Sequence, residues 1–335
     1  MEQVQLGATG PRVSRLGLGC MGMSDVYGPA DRDESLATLA MAVERGITLL
    51  DTGDFYGMGH NEMLIREALR TLDRDRLTLS VKFGGLRNPQ GQFLGFDGRP
   101  AAVKNFAAYS LQRLGVEVID VYRPARLDSS VPIEDTIGAI KDLIDAGHVR
   151  HIGLSEVGPD VIRRAHAVHP IADLQIEYSL ITRGIEEEIL PTCRELGIAV
   201  TAYGVLARGL IGGHWRPDAV AQGDYRASTP RFQGENLERN LALVEALREA
   251  AEARGITVAQ AAIAWVLSRG PDIVPLIGAR RRNRLEESLK ALDARLTAED
   301  LAAIEAAMPE TAAAGARYPA VQMAHLDSEK RLQTL

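Results

Sequence analysis

The sequence predicts an α/β fold: a closed (β/α)8 TIM barrel with an N-terminal hairpin and long loops on its C-terminal face. Three observations carry this prediction. Short runs rich in β-branched residues alternate with helical patterns through most of the 335 residues. The alternation yields eight strand–helix units with no linker or compositional break between them. A hydrophobic content of 46% suffices for one large core, so the chain 1–335 reads as a single domain. Helices between strands imply parallel pairing and right-handed crossovers. The rival arrangement is an open doubly wound sheet.

The opening "VQLGATGPRVS" reads as a hairpin capping the far end of the barrel. "SRLGLGC" (14–20) is the first strand, and apolar residues at helical spacing over 34–45 give the first helix. "ITLLD" (47–51) is the second strand, followed by the helix "NEMLIREALRTL". "LTLSVK" (77–82) is the third, followed by "AVKNFAAYSLQRLG". "VEVIDVY" (116–122) is the fourth, and its helix has Pro132 at a plausible start and Gly147 at its stop. "VRHIGLS" pairs with the helix "GPDVIRRAHAVH", and "ADLQIEY" with "GIEEEILPTCRELG". "IAVTAYG" pairs with "TVAQAAIAWVLSRG", and "DIVPLIG" is the eighth strand. Three stretches stand outside the repeat: 85–100, 212–234 and the tail from Pro309. Insertions after barrel strands shape the active face, so these read as substrate loops. The Ala-rich segment 302–316 is the one low-complexity tract.

Composition narrows the partners. A formal charge of −7 argues against wholesale binding to nucleic acid or an anionic membrane. Cys20 and Cys193 have no metal-ligand spacing and make no disulfide framework, which fits a reducing cytoplasmic location. The N-terminus lacks the pattern of a signal peptide, and no apolar run approaches the ~20 residues that span a bilayer. The expected partner is a small molecule, and the reading leaves room for a homo-oligomer.

"GLGCMG" (17–22) matches the G-x-G-x-x-G dinucleotide pattern. That motif needs a helix opening at once to hold a pyrophosphate. Loop sequence, "MSDVYGPADRD", follows instead, so these glycines are read as packing residues at a strand end.

In a barrel, catalytic groups gather at the C-terminal ends of strands. The second end carries "DTGDFYG", with Asp51 and Tyr56, and the third carries Lys82. The fifth gives Ser155 and Glu156, the sixth Gln175 and the seventh Tyr203. Taken singly, an Asp there caps a helix, a Tyr packs and a Lys is solvated. Taken together, Asp51, Tyr56 and Lys82 form an acid–base set. An ammonium beside a tyrosine favours phenolate, and a carboxylate fixes the lysine. Tyr56 in such a set could donate a proton to a carbonyl oxygen as hydride reaches the carbon.

These residues, with the opening hairpin, "HIGLSEV", "QIEYSL", "AYGVLARGLIGG" and "VPLIGARRRNRLEESLKALD", make the chain resemble the aldo-keto reductase family nearly end to end. The likeness is strongest to bacterial and plant members with the "GLSEV" signature. It implies a barrel that uses NADP(H) without a Rossmann domain and reduces aldehydes or ketones. By this resemblance Tyr56 is the general acid, tuned by Lys82 and Asp51. Ser155, Glu156 and Gln175 hold the nicotinamide carboxamide, although many members have Asn where Glu156 stands. Tyr203 stacks on the nicotinamide. Gly204, Val205, Leu206, Ala207, Arg208, Gly209 and Leu210 form the loop around the pyrophosphate, and Gly278 belongs to the same cofactor set. Arg280 and Arg284 contact the 2′-phosphate, Glu287 contacts adenine, and Ser288 stands where Asn is usual. An arginine fork matches phosphate, and a helix N-terminus adds a favourable dipole, so NADPH is expected over NADH.

The family usually carries a histidine at the fourth strand end. Here the segment is Arg123, Pro124, Ala125 and Arg126, with Ala125 at the histidine position. Three readings stay open. The enzyme works with Tyr56 alone, helped by an arginine or water; Arg123, two residues from Ala125, would share its side of the strand. The site is wider and takes bulkier carbonyls. Or the protein binds NADP(H) as a weakly catalytic sensor or regulatory subunit. A Schiff-base lyase using Lys82 is a further alternative of another class.

Overall fold

The computed structural model describes residues 1–24, 26–216 and 223–330. Strands β1 (Gln3–Gln5) and β2 (Arg12–Ser14) form an antiparallel hairpin, and β3 (Gly17–Gly19) opens the barrel. The other barrel strands are β4 (Leu49–Gly53), β5 (Thr78–Phe83), β8 (Ile119–Pro124), β9 (Val149–Ser155), β10 (Ile171–Glu177), β11 (Ala199–Tyr203) and β12 (Ile273–Ile277). They close in parallel in the order β3-β4-β5-β8-β9-β10-β11-β12, with β12 returning to β3. This is the (β/α)8 barrel, and the open-sheet alternative is set aside by that closure.

Each of the first six strands is followed by a helix: α1 (Arg32–Glu44), α2 (His60–Ala68), α3 (Pro100–Leu114), α4 (Ile133–Asp145), α5 (Pro159–Val168) and α6 (Ile189–Glu195). Local chemistry sets their ends. Asp31 caps α1 by accepting from the Glu34 amide at 2.8 Å. Pro100 opens α3, and Gly115 stops it in the left-handed region at φ 68°. After β11 come two helices, α7 (Gly234–Glu252) and α8 (Val258–Ser268); α8 starts with a Thr257–Gln260 capping box. The helix α9 (Arg282–Leu289) follows β12, and α10 (Ala298–Ala307) grows out of the Ala-rich tract.

The main core lies between the helices and the outer barrel wall. A smaller cluster fills the lower barrel: Leu49, Val121, Ala199, Val274 and Leu276, sealed by Leu6 and Val13 of the hairpin region. Ser14 and Thr48 trade hydrogen bonds at 2.8 and 2.9 Å, pinning the hairpin to the chain entering β4.

Besides the extra helix α7, three details differ from the sequence expectation. Ser14 belongs to the hairpin, so the first barrel strand is only Gly17–Gly19. The fourth strand continues through Arg123 to Pro124. The stretch 85–100 holds a second hairpin, β6 (Gly85–Arg87) with β7 (Phe93–Phe96). Of the stretch 212–234, residues 217–222 lie outside the described residues. The tail holds a short helix, α11 (Ala320–Met323).

Candidate active site

The strand ends surround a cavity of about 790 Å³. Asp51, Tyr56 and Lys82 line it together. Asp51 is the last buried carboxylate of β4 before Gly53. One oxygen pairs with the Lys82 ammonium; the other accepts from Ser80 Oγ at 2.8 Å and from Gln175 Nε2 at 2.7 Å. Parallel register explains the meeting, because Asp51 pairs with Ser80 while Gly53 pairs with Lys82. Lys82 Nζ lies 5.1 Å from the centre of the Tyr56 ring. Burial draws the Lys82 ammonium down from its usual range, Asp51 opposes this, and Arg123 adds to it. The Tyr56 phenol is pushed well above its usual value, first by burial and then by the Asp51 charge, with Arg126 pulling the other way. The expected lowering of the phenol is therefore overridden by desolvation.

The four residues 123–126 separate into distinct roles. Arg123 is fully buried and pairs with Asp173 at 2.9 Å, while Thr201 also hydrogen-bonds Asp173. A Cβ at Gly153 would come within 2.6 Å of Asp173 Oδ1, so glycine makes room for this pair. Arg123 does not line the cavity. The spacing argument that aimed it beside Ala125 fails because β8 ends at Pro124 and alternation stops there. Ala125 is buried at the rim, its amide bonded to Phe83 O at 2.9 Å, and Arg126 faces the cavity.

Ser155, Gln175, Tyr203, Gly204, Val205, Leu206, Arg208 and Gly209 line the same cavity, and Gly278, Arg280, Arg284, Glu287 and Ser288 line its other end. Ser155 Oγ is buried with no partner among the described residues, which suits an incoming amide. Ala207 and Leu210 are buried behind the loop and do not line the cavity. Arg280 donates to Gly28 O at 2.9 Å, and Arg284 pairs with Glu287 at 3.1 Å. Glu287 is also held by His214.

Glu156 has a partner set different from the expected one. Its backbone is left-handed at φ 52°, a strained choice for a residue with a Cβ. Its buried carboxylate takes Arg317 on both oxygens at 3.1 and 2.9 Å, Tyr203 Oη at 2.6 Å, Ser328 Oγ at 2.7 Å and the Glu177 amide at 2.9 Å. It does not line the cavity. Burial opposes its charge, yet Arg317 and Arg126 hold it far below the usual carboxylate range. Glu177 lies beside it with Arg208 at 3.1 Å, Arg231 at 3.3 Å and Arg317 at 3.5 Å. Arg317, Tyr318 and Ser328 were not singled out as part of such a network from the sequence. Their partners Glu156, Glu177 and Tyr203 are more than a hundred residues away in the chain, beyond the reach of local patterning.

Fold and cavity together define the class: a (β/α)8 barrel with its polar groups at the strand C-termini, where barrel enzymes carry their chemistry. Residues 15–309 match the model of the Aldo/keto reductase family. The chain belongs to that family, oxidoreductases that act on small-molecule carbonyl compounds with a nicotinamide cofactor. It is 42% identical over 319 residues to "Probable aldo-keto reductase 1" of Glycine max, covering 95% of this chain and 92% of that protein. Among solved structures it resembles a glycerol dehydrogenase of Gluconobacter oxydans, with TM-score 0.82, 29% identity and coverage of 91% and 94%. An aldo-keto reductase of Bacillus halodurans in its holo form aligns with TM-score 0.75, 28% identity and coverage of 92% and 96%. No helix among the described residues is long and apolar enough to cross a membrane.

Proposed function

We propose that the chain is an NADP(H)-dependent reductase of aldehyde or ketone carbonyls, with Tyr56 as proton donor. The observation that carries this reading is one cavity lined at one end by Asp51, Tyr56 and Lys82 and at the other by Arg280 and Arg284. The residues fit the cofactor: the unpartnered Ser155 Oγ suits the carboxamide, Tyr203 offers a ring fixed by Glu156 and Tyr318, and the arginines suit a phosphate. When bound, the cofactor supplies hydride.

The chain's own residues manage the proton. The raised pKa keeps Tyr56 protonated at neutral pH, ready to donate from Oη. As the proton leaves, the nearby Lys82 ammonium steadies the phenolate, and Asp51 holds Lys82 in place. The buried surroundings strengthen that electrostatic help. A second reading, cofactor binding with weak catalysis, is favoured by Ala125, which brings no side-chain donor to the rim.

Calorimetric titration with NADPH and NADH tests the cofactor assignment. NADPH is expected to bind at least about tenfold more tightly, and Arg280→Ala with Arg284→Ala to erase most of the difference. Equal affinities in the parent protein would end the assignment.

A further inference from the structure

Four of the cations that line this cavity are already matched by carboxylates. Lys82 has Asp51, Arg208 has Glu177, Arg226 has Asp224 at 2.6 Å and Arg284 has Glu287. Arg126 is the exception beside the proton donor. Its Nη1 donates to the neutral Ala125 carbonyl at 2.6 Å, and no carboxylate among the described residues lies within 4.0 Å of it. Glu156 contributes to its field, but both oxygens of that carboxylate are taken by Arg317, Tyr203 and Ser328. A guanidinium has five N–H donors in a planar fork, and this one spends a single donor on a neutral acceptor. It is half-buried in the wall that also holds Tyr56 and Ala125. The acceptor that fits such a fork is a planar anion.

We infer that Arg126 grips a carboxylate of the substrate, and that the preferred substrate is a 2-oxo acid whose carbonyl is thereby held at Tyr56. This rests on the reductase reading above. Adjacency of carboxylate and carbonyl follows from adjacency of the two protein groups. The Ala125 amide is bonded to Phe83 O at 2.9 Å and Lys82, next to Phe83, lies 5.1 Å from the Tyr56 ring centre, so the strand end that carries Arg126 stands beside the proton donor, and both residues line the cavity. Phe55, Phe96 and Trp215 also line the cavity, which suits an aryl or other apolar body behind the keto acid. In the reaction the carbonyl carbon gains a hydride from reduced nicotinamide and the oxygen gains the Tyr56 proton. The products are a 2-hydroxy acid and oxidised nicotinamide. The substrate's own carboxylate then supplies the orientation that Ala125 does not.

The experiment compares kcat/KM with NADPH for phenylglyoxylate and for its methyl ester, in the parent, Arg126→Met and Arg126→Lys. Benzoate and benzamide binding to the same three proteins with NADP+ is measured by calorimetry. The ester carbonyl is the more electrophilic, so a preference for the acid must come from the site. The parent is expected to favour the acid by about tenfold or more, Arg126→Met to lose that ratio, and Arg126→Lys to keep part of it. Benzoate is expected to bind the parent, and its binding to weaken by a similar factor in Arg126→Met. Turnover of both substrates without an acid preference overturns the inference, as does an equal fall for acid and ester in Arg126→Met. If neither compound is reduced although the parent reduces other aldehydes or ketones, the inference is overturned; if no carbonyl compound is reduced, the reductase reading fails instead. Benzoate binding then decides separately whether Arg126 is an anion site: Arg126-dependent binding upholds it, and no binding refutes it.

Discussion

Asp54 takes no part in the proposed proton transfer, yet its burial has a measurable consequence. Burial pushes its carboxyl from 3.8 up to about 7; the Gly84 amide bond opposes this and the Glu62 charge adds to it. One oxygen has no partner among the described residues. The native state therefore keeps a proton that the unfolded chain loses near pH 4. Between pH 4 and 7 the native state binds more protons, so this residue's contribution to stability falls as pH rises, by up to about 4 kcal/mol. Asp54→Asn keeps the neutral form at every pH. It should flatten the decline and be more stable than the parent at pH 8. Urea unfolding at pH 5 and pH 8 checks this, and identical slopes in both proteins would remove the explanation. At this scale the sequence was only partly readable. That Asp51, Tyr56 and Lys82 meet at one cavity was legible because barrel strand ends are a fixed location. The identity of Arg123 as an interior ion-pair partner was not, because only the end of β8 decides which way residue 125 faces.

The tail shows what elements add. Arg317 reaches Glu156, Glu177 and Glu329, and Arg208 lies 4.3 Å from the Tyr318 ring centre. Tyr318, Gln322, His325 and Leu326 thereby become one wall of the cavity. Arg317→Met strands the buried Glu156 charge and is expected to cost about 3–5 kcal/mol. It should also speed protease cleavage within 309–330. Adding Glu156→Gln should restore part of the loss, since the uncompensated charge is gone. Strictly additive effects in denaturant unfolding would mean that the two side chains do not act as a pair. Local patterning could not have revealed this contact, which joins residues 161 positions apart. The helix α7 was missed for another reason. Its sequence has helical character, but eight strand–helix units were already complete without it, and the repeat left it no place.

At the scale of the molecule, the barrel was legible because parallel strands buried on both faces read as short apolar runs, with a helix pattern between them. Closure itself depends on register and twist, which no single run encodes. The β12–β3 pairing of Leu276 with Gly17 and Ile277 with Leu18 supplies it. The barrel brings Asp51, Tyr56 and Lys82 from two adjacent strand ends to one wall, while the insertions and tail build the cavity above. The most direct test of the proposed chemistry is therefore NADPH oxidation by the parent and Tyr56→Phe across a panel of aldehydes, ketones and 2-oxo acids, with NADPH affinity measured in parallel. The account predicts carbonyl-dependent oxidation by the parent, a loss of at least about a hundredfold in Tyr56→Phe, and nearly unchanged cofactor affinity. Reduction by Tyr56→Phe at the parent rate would contradict it.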